Sequence, residues 1–303
     1  MKLDYVPAFT LQPLKREVQV VEADALRTPS FINDVAGGRV ELPTIPAVVQ
    51  RLIAALRDPD VNSRTIGEEL ARDPVLTSKV LRLANSSFFG GQRSMASIDA
   101  AVSLIGTAAL NRLIVACGVS SSFQAVPGID LGLFWREAVL AASAAHKLAL
   151  RLQADSEEAY LCGLLHATGH LILCRSYPEI ANAMFTGFAP VRGAELCEIE
   201  LGAFGIDHPE VGALWVESIK FPQSVAQAIG KAARPPHPSD GPLDVVLQGA
   251  CALAAAALQK LDVEAAWAAL PDRVRAPFGA AGGAPDAAFT KLYEGLLETE
   301  VAV

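Results

Sequence analysis

The hydrophobic residues of this chain recur mostly at steps of three and four, which is the spacing of one face of an α-helix. The clearest run follows Leu42-Pro43 and stops at Asp58-Pro59; its apolar positions are Ile45, Val48, Val49, Leu52, Ile53 and Leu56. Four more amphipathic runs follow before residue 122, and short turns separate them. The pattern therefore predicts a compact five-helix bundle over residues 40–122.

The third of these predicted helices has the best-marked start. Asp73 precedes Pro74, and this pair favours a helix start because the carboxylate accepts hydrogen bonds from exposed N–H groups and proline lacks the donor that would go unpaired. Lys79 and Arg82 are predicted to face outward and Leu81 to be fully buried. The helix is expected to end near Asn85-Ser86, and its apolar face is formed by Val75, Leu76, Val80, Leu81 and Leu83.

A second set of helices is predicted beyond the Pro127-Gly128 turn. Residues 1–39 form a leader with one predicted helix before Thr28-Pro29, and residues 262–303 form an extension with one helix from Asp286 to about Glu298. No run alternates as a strand would, so the predicted fold class is all-α. The second set comprises residues 131–152, 156–174, 178–186, 190–204, 208–218, 222–233 and 243–261.

Composition and charge narrow the classes of function. Hydrophobic residues make up 51% of the chain and aromatic residues only 6%, which suits helices that pack through small side chains. The net charge of −8 argues against general nucleic-acid binding, which needs a basic surface. No apolar run reaches the roughly 18 residues of a membrane span. The five cysteines form no C-x-x-C pair, which indicates free thiols in a reducing compartment, and we expect a cytoplasmic protein.

Three strings of sequence resemble those of a known family. They are LPTIP at 42–46, DPVLTSKVLRLANS at 73–86 and SIDAAVSLIG at 97–106. In this order they resemble the HDOD domain, a bacterial signalling module related to the HD metal-dependent phosphohydrolases but usually without their catalytic residues. The resemblance covers roughly residues 40–235. It implies a domain over 40–261, in which the 40–122 bundle packs on a degenerate HD-like helical part at 130–261.

The same resemblance identifies a degenerate metal site. The string LCGLLHATGH at 161–170 resembles the GLLHDIGK segment of active HD hydrolases, with His166 kept and Ala167 in place of the metal-binding aspartate. Glu137 stands where catalytic relatives have a histidine, while His208 and His237 resemble positions of further ligands. The 245–258 helix offers no acid for a final carboxylate. We therefore expect no bound metal pair, no other cofactor and no catalytic residue.

Structural roles explain most of the histidines, and no bound metal is needed to account for them. His166 and His170 lie four residues apart and could share a helix face toward a metal. We instead expect His166 to be buried and hydrogen-bonded to a neighbouring helix, and His170 to be partly exposed. His208 follows Asp207, a good helix cap, and precedes Pro209, which suits a first turn.

These observations favour a non-catalytic regulatory module that acts through a protein partner or a second copy of itself. The alternatives are a metal-dependent phosphohydrolase acting on a cyclic nucleotide, and a protein that binds a nucleotide in the old pocket without hydrolysing it. The candidate surface for a partner or a ligand comprises Lys79, Arg82, Asn85 and Arg93, although a solvated face would explain these residues equally well. The alanine-rich faces also make a homodimer plausible.

Overall fold

The structure is a computed structural model, and it describes residues 30–55, 63–70, 73–85, 97–186, 192–278 and 283–298. In these ranges the chain folds as a succession of helices joined by turns and short loops. No strand occurs in these ranges, which confirms the all-α prediction. In chain order the helices are α1 (Phe31–Ala36), α2 (Ala47–Ala55), α3 (Ser63–Leu70), α4 (Pro74–Ala84), α5 (Ile98–Ile105), α6 (Thr107–Ser120), α7 (Leu131–Leu152), α8 (Ser156–Leu165), α9 (Thr168–Ser176), α10 (Pro178–Phe185), α11 (Gly193–Phe204), α12 (His208–Ser218), α13 (Gln223–Ile229), α14 (Pro242–Leu258), α15 (Val263–Ala268), α16 (Asp272–Arg275) and α17 (Ala287–Leu297).

Helices α2 to α6 form the predicted N-terminal bundle. Asp73 caps α4 as predicted, because its Oδ1 accepts the backbone N–H of Leu76 at 2.9 Å. The buried stripe of α4 is Leu76, Val80 and Ala84, at steps of four. The expectation that Leu81 is fully buried is wrong: one residue along a helix turns the side chain by about 100°, so Leu81 lies at the flank of the stripe and is only half-buried.

The second helical set matches the prediction except where the chain bends. The segment predicted as one helix over 156–174 is two helices, since α8 ends at Leu165 and α9 begins at Thr168. His166 and Ala167 form the turn between them. The two histidines at 166 and 170 therefore do not share the face of one continuous helix.

The two ends of the chain differ from the predictions in different ways. The predicted leader helix falls outside the described residues, while α1 was not predicted. In the C-terminal extension, α17 confirms the predicted helix, and Asp286 caps it by accepting the N–H of Phe289 at 2.7 Å. Helices α15 and α16 were missed because each is at most six residues long.

Small residues on α7 let its neighbours approach closely. The segment from Ala138 to Ala145 is buried throughout, and α8 and α14 pack along it. A Cβ atom on Gly163 of α8 would lie 2.6 Å from the backbone of Ala141, so only glycine fits there. This contact fixes the end of α8 beside α7. Among the described helices, none combines the length and the hydropathy needed to cross a bilayer.

Candidate functional site

A cavity of about 940 Å³ opens among helices α7, α9, α10, α11, α12 and α14. Most of its wall is apolar, and three histidines, two acids, one arginine and one cysteine supply its ionisable groups. The lining comprises Gly128, Ile129, Asp130, Leu133, Phe134, Glu137, Ala138, His166, Ala167, His170, Asn182, Phe185, Thr186, Arg192, Gly193, Leu196, His208, Ala232, Ala233, Cys251 and Ala255.

Behind this wall, one buried carboxylate holds two of the histidines. Glu200 of α11 has no solvent exposure. Its Oε1 accepts a hydrogen bond from His170 Nδ1 at 2.6 Å, and its Oε2 accepts from His208 Nδ1 at 2.6 Å and from the His208 backbone N–H at 2.8 Å. Burial favours the protonated acid, but the hydrogen bonds from the two imidazoles outweigh burial and lower the pKa of Glu200. The carboxylate is therefore ionised at neutral pH.

Two glycines bring the histidines to this carboxylate. A Cβ atom on Gly169 of α9 would lie 2.0 Å from the His208 carbonyl oxygen and 2.7 Å from the Gly212 nitrogen of α12. Helices α9 and α12 thus meet backbone to backbone, which no larger residue would allow. Asp207 caps α12, as predicted, by accepting the N–H of Glu210 at 3.0 Å. This cap fixes His208 as the first residue of the helix.

His166 occupies the turn between α8 and α9. Its Nδ1 lies 2.8 Å from the Gly163 carbonyl oxygen in its own preceding turn. Its side chain also hydrogen-bonds Cys251 of α14, which agrees with the expected bond to a neighbouring helix. Burial favours the neutral ring, but the Cys251 sulfur, the Gly163 carbonyl and the Glu137 carboxylate together raise the pKa of His166 to about 9. Ala167, next to it, offers the cavity only a methyl group.

Glu137 and Arg192 form an ion pair at the cavity wall, through Glu137 Oε1 and Arg192 Nε. Glu137 lies on α7 and Arg192 immediately precedes α11. The pair therefore connects two helices across the cavity, and the carboxylate of Glu137 is already neutralised by a protein cation.

The structure brings three of the four predicted vestigial ligands to one cavity. Glu137, His166 and His208 all line it. His237, the fourth candidate, is exposed and is not among the lining residues, and its Nδ1 lies 2.7 Å from Ser239 Oγ. It lies in the Pro-rich segment before α14, where its carbonyl accepts a hydrogen bond from Arg273 of α16 at 3.1 Å.

The sequence did not indicate how deeply His170 is buried, nor that Glu200 belongs to the site. His170, expected to be partly exposed, is only 7% exposed, because Glu200 and the ring of Phe185 enclose it. Glu200 itself was not considered. A signal did exist: Leu196, Glu200 and Phe204 are four residues apart along α11, and all three are buried. A carboxylate on an apolar stripe indicates a buried partner.

Within the described residues, one group of three side chains could offer metal-ligand atoms within 4.8 Å of one another: Cys197, Glu200 and His208. The Cys197 Sγ lies 3.8 Å from His208 Nδ1. Burial and the nearby Asp207 and Glu200 carboxylates raise the pKa of the Cys197 thiol to about 12, so the thiol is protonated at neutral pH. As the chain stands, this group is a hydrogen-bonded network with its acid already paired.

The candidate partner surface lies on the last turns of α4. Arg82 is exposed, whereas Lys79 is half-buried and its Nζ donates to Ser121 Oγ of the turn after α6 at 2.9 Å. Asn85 directly follows the helix and is half-buried. Arg93 lies outside the described residues. Of the three described side chains, Arg82 is therefore the one most available to a partner.

The comparison with known families decides what kind of domain surrounds this cavity. The family model of the HDOD domain matches residues 42–235, almost two thirds of the chain. This chain belongs to the HDOD domain family. The match spans the N-terminal bundle and the helices that carry Glu137, His166, Glu200 and His208. The match therefore includes every lining residue of the cavity except Cys251 and Ala255 of α14.

Relatives of this HDOD protein carry differing descriptions. A solved structure from Shewanella amazonensis SB2B, provisionally assigned as a phosphohydrolase, is 28% identical, with a TM-score of 0.66 over 88% of this chain and 96% of that one. A structure from Marinobacter aquaeolei VT8, provisionally assigned to signal transduction, is 23% identical, with a TM-score of 0.58 over 90% of this chain and 62% of that one, and shows the fold alone. An uncharacterized Treponema pallidum protein is 25% identical over 70% of this chain, and the match spans only 41% of that relative.

Proposed function

We propose that this HDOD protein is a non-catalytic regulatory module that passes on a signal through contact with a protein partner. The observation that carries the proposal is the state of the carboxylates beside the histidines. Glu137 is paired with Arg192, Glu200 is bonded to His170 and His208, and Ala167 has no acid to offer.

A two-metal hydrolase site needs anionic ligands to offset the charge of its ions and to hold an activating water. An ion would have to break an existing ion pair or hydrogen bond before it gained Glu137 or Glu200, the two carboxylates beside the histidines, as a ligand. Freeing Glu137 leaves Arg192 as a cation beside the metal. Freeing Glu200 leaves two buried imidazole donors without their acceptor, which is costly. These costs support a cavity that does not hold a divalent pair.

Metal content and hydrolysis test the non-catalytic part. We expect purified protein to contain well under one equivalent of Mn or Fe and to show no turnover of bis(p-nitrophenyl) phosphate or cyclic di-GMP. Ala167→Asp alone is expected to give no activity. Position 137 would still hold a glutamate in place of the histidine of catalytic relatives, and the 245–258 helix would still lack an acid. Stoichiometric Mn or Fe, with turnover that disappears in His166→Ala but survives in the control His146→Ala outside the cavity, would overturn the proposal.

The contact part is tested by reversing charge on the candidate surface. We expect Arg82→Glu to remove a specific protein that co-purifies with the wild type from native lysate. Arg136→Glu is the matched control, since Arg136 is also exposed but lies on α7. Light scattering at tens of micromolar shows whether the partner is a second copy. Equal co-purification with both variants would remove this surface from the proposal.

A metal-dependent phosphohydrolase acting on a cyclic nucleotide is the second candidate. It is favoured by the provisional assignment of the Shewanella amazonensis structure, which matches this chain over most of its length. The hydrolysis assay above separates the two candidates.

A further inference from the structure

The cavity has the dimensions of a site for a small organic molecule. Such sites usually measure roughly 300–1,000 Å³ and have mainly apolar walls, and this cavity of about 940 Å³ meets both conditions. Phe134 of α7 and Phe185 of α10 are half-buried and both line it. Aromatic side chains favour edge-to-face or offset packing with another ring. The wall therefore suits a ligand with an aromatic ring.

The histidines set the hydrogen bonds that such a ligand would make. His170 and His208 each donate their Nδ1–H to the Glu200 carboxylate. In a neutral imidazole, a protonated Nδ1 leaves Nε2 as an acceptor. Both residues line the cavity, so a hydroxyl or N–H donor on a ligand suits their Nε2 atoms; for His170, the Cys174 sulfur also lies 3.8 Å from this nitrogen.

Charge balance sets the third requirement. The lining has two acids, Asp130 and Glu137, against two cations, Arg192 and the protonated His166. Arg192 already pairs with Glu137. A phosphate or sulfonate that bound Arg192 would draw this cation from Glu137 and place a second anion beside that carboxylate. An uncharged ligand avoids this cost.

We propose that the cavity binds a small, uncharged aromatic molecule that carries a hydroxyl or N–H donor. The inference rests on the proposed function in one respect, namely that no metal pair occupies the cavity. It adds an input, a ligand, to a module whose proposed output is contact with a partner. It also disfavours the nucleotide ligand considered from the sequence, because a nucleotide brings phosphates.

Two dyes that differ mainly by one charge test the proposal on the full chain. N-phenyl-1-naphthylamine is uncharged and has one N–H donor, and 8-anilinonaphthalene-1-sulfonate has the same ring system with an added sulfonate. We expect the uncharged dye to bind with saturable fluorescence at one molecule per chain. The sulfonate dye should bind at least tenfold more weakly.

Variants locate the binding in the cavity. Ala233→Trp fills the cavity from a half-buried wall position and should weaken the uncharged dye at least tenfold, whereas Ala109→Trp, half-buried on α6 outside the cavity, should not. Thr186→Trp, at an exposed position of the lining, repeats the test if Ala233→Trp lowers the melting temperature. Glu137→Gln releases Arg192 and should strengthen the sulfonate dye at least fivefold, which narrows the difference between the two dyes.

The outcomes separate this inference from the proposed function. Equal affinity for the two dyes would overturn the proposal that the cavity prefers an uncharged ligand. Binding of the uncharged dye that both tryptophan variants leave intact, or no binding at all, would overturn the cavity site. The dye assay involves no partner and no metal, so hydrolysis of cyclic di-GMP would defeat the proposed function independently of the dye result.

Discussion

At the scale of single residues, the most constrained side chain is Glu200. A buried carboxylate is costly unless hydrogen bonds replace its hydration. Three donors do so here, one from His170 and two from His208. Because all three bonds are charge-assisted, they are stronger than bonds between neutral groups.

We expect Glu200→Gln to lower the free energy of unfolding by about 2–4 kcal/mol. Glutamine keeps one oxygen, so at least one imidazole donor loses its acceptor while it stays buried. Urea unfolding of the variant beside Glu198→Gln, an exposed control on the same helix, measures the effect. If both variants unfold alike, the three-residue network contributes no stability.

The lowered pKa of Glu200 makes that contribution depend on pH. A carboxyl group whose pKa is lower in the folded state stabilises the protein above its unfolded pKa of about 4.3, and this stability is lost as the pH falls through the folded value. The difference in unfolding free energy between the wild type and Glu200→Gln should therefore be largest above about pH 5 and shrink in more acidic solution. A difference that grows on acidification would contradict the assignment of an ionised Glu200.

At the scale of helices, the sequence predicted most of the elements but not how they meet. Periodicity predicted α7, α12 and α17 closely, because local spacing determines which face is apolar. It could not show the turn at His166, since the apolar pattern continues across it. The Glu200 network was equally hidden, because its partners lie 30 and 8 residues away in sequence. Gly169 lowers the helix propensity of its own segment, yet it is the residue that allows two helices to touch.

Helix α9 depends on that glycine. Gly169→Ala is expected to destabilise the protein by more than about 2 kcal/mol, because the new methyl group would meet the backbone of α12, which cannot easily move aside. Gly202→Ala on α11 is the matched control, as nothing lies within 4 Å of its Cβ position. The control should gain roughly 0.5–1 kcal/mol from its better helix propensity. Melting temperatures that rise for both variants would show that α9 and α12 are not in close contact.

Helix α4 offers a test of which face is buried. Val80→Asp should cost more than about 3 kcal/mol, because Val80 is fully buried and the new carboxylate would have no partner. Leu81→Asp should cost less, as Leu81 is half-buried, and Val75→Asp close to nothing, since Val75 is 67% exposed. Chemical denaturation of the three variants ranks them. If Leu81→Asp lowers the free energy of unfolding as much as Val80→Asp does, Leu81 is fully buried, as the sequence predicted.

At the scale of the whole molecule, the C-terminal extension packs as part of the core. Phe278, Phe289 and Tyr293 are buried together with residues of α7 and α14. Their rings stack or meet edge to face at centroid distances of 5.7–6.2 Å. The family match ends at residue 235, yet the extension covers the outer side of the helices that build the cavity wall.

Phe289→Ala should therefore lower the free energy of unfolding by about 3–5 kcal/mol, the usual cost of removing a buried phenylalanine ring. Leu297→Ala, at a position that is 41% exposed, is the control and should cost less than about 1 kcal/mol. Thermal unfolding followed by circular dichroism compares them. Equal small effects would mean that the extension is not needed for the stability of the remainder.

The network of His170, Glu200 and His208 also has a consequence for how this sequence can diverge. Losing the acid alone leaves two buried donors without an acceptor, and losing either histidine leaves the carboxylate short of a donor. Each single substitution therefore lowers the stability of the protein, whereas replacement of all three residues by apolar ones need not lower it. Across related chains, these three positions should be inherited as a set and replaced as a set. Lineages that lack the acid should lack both histidines too.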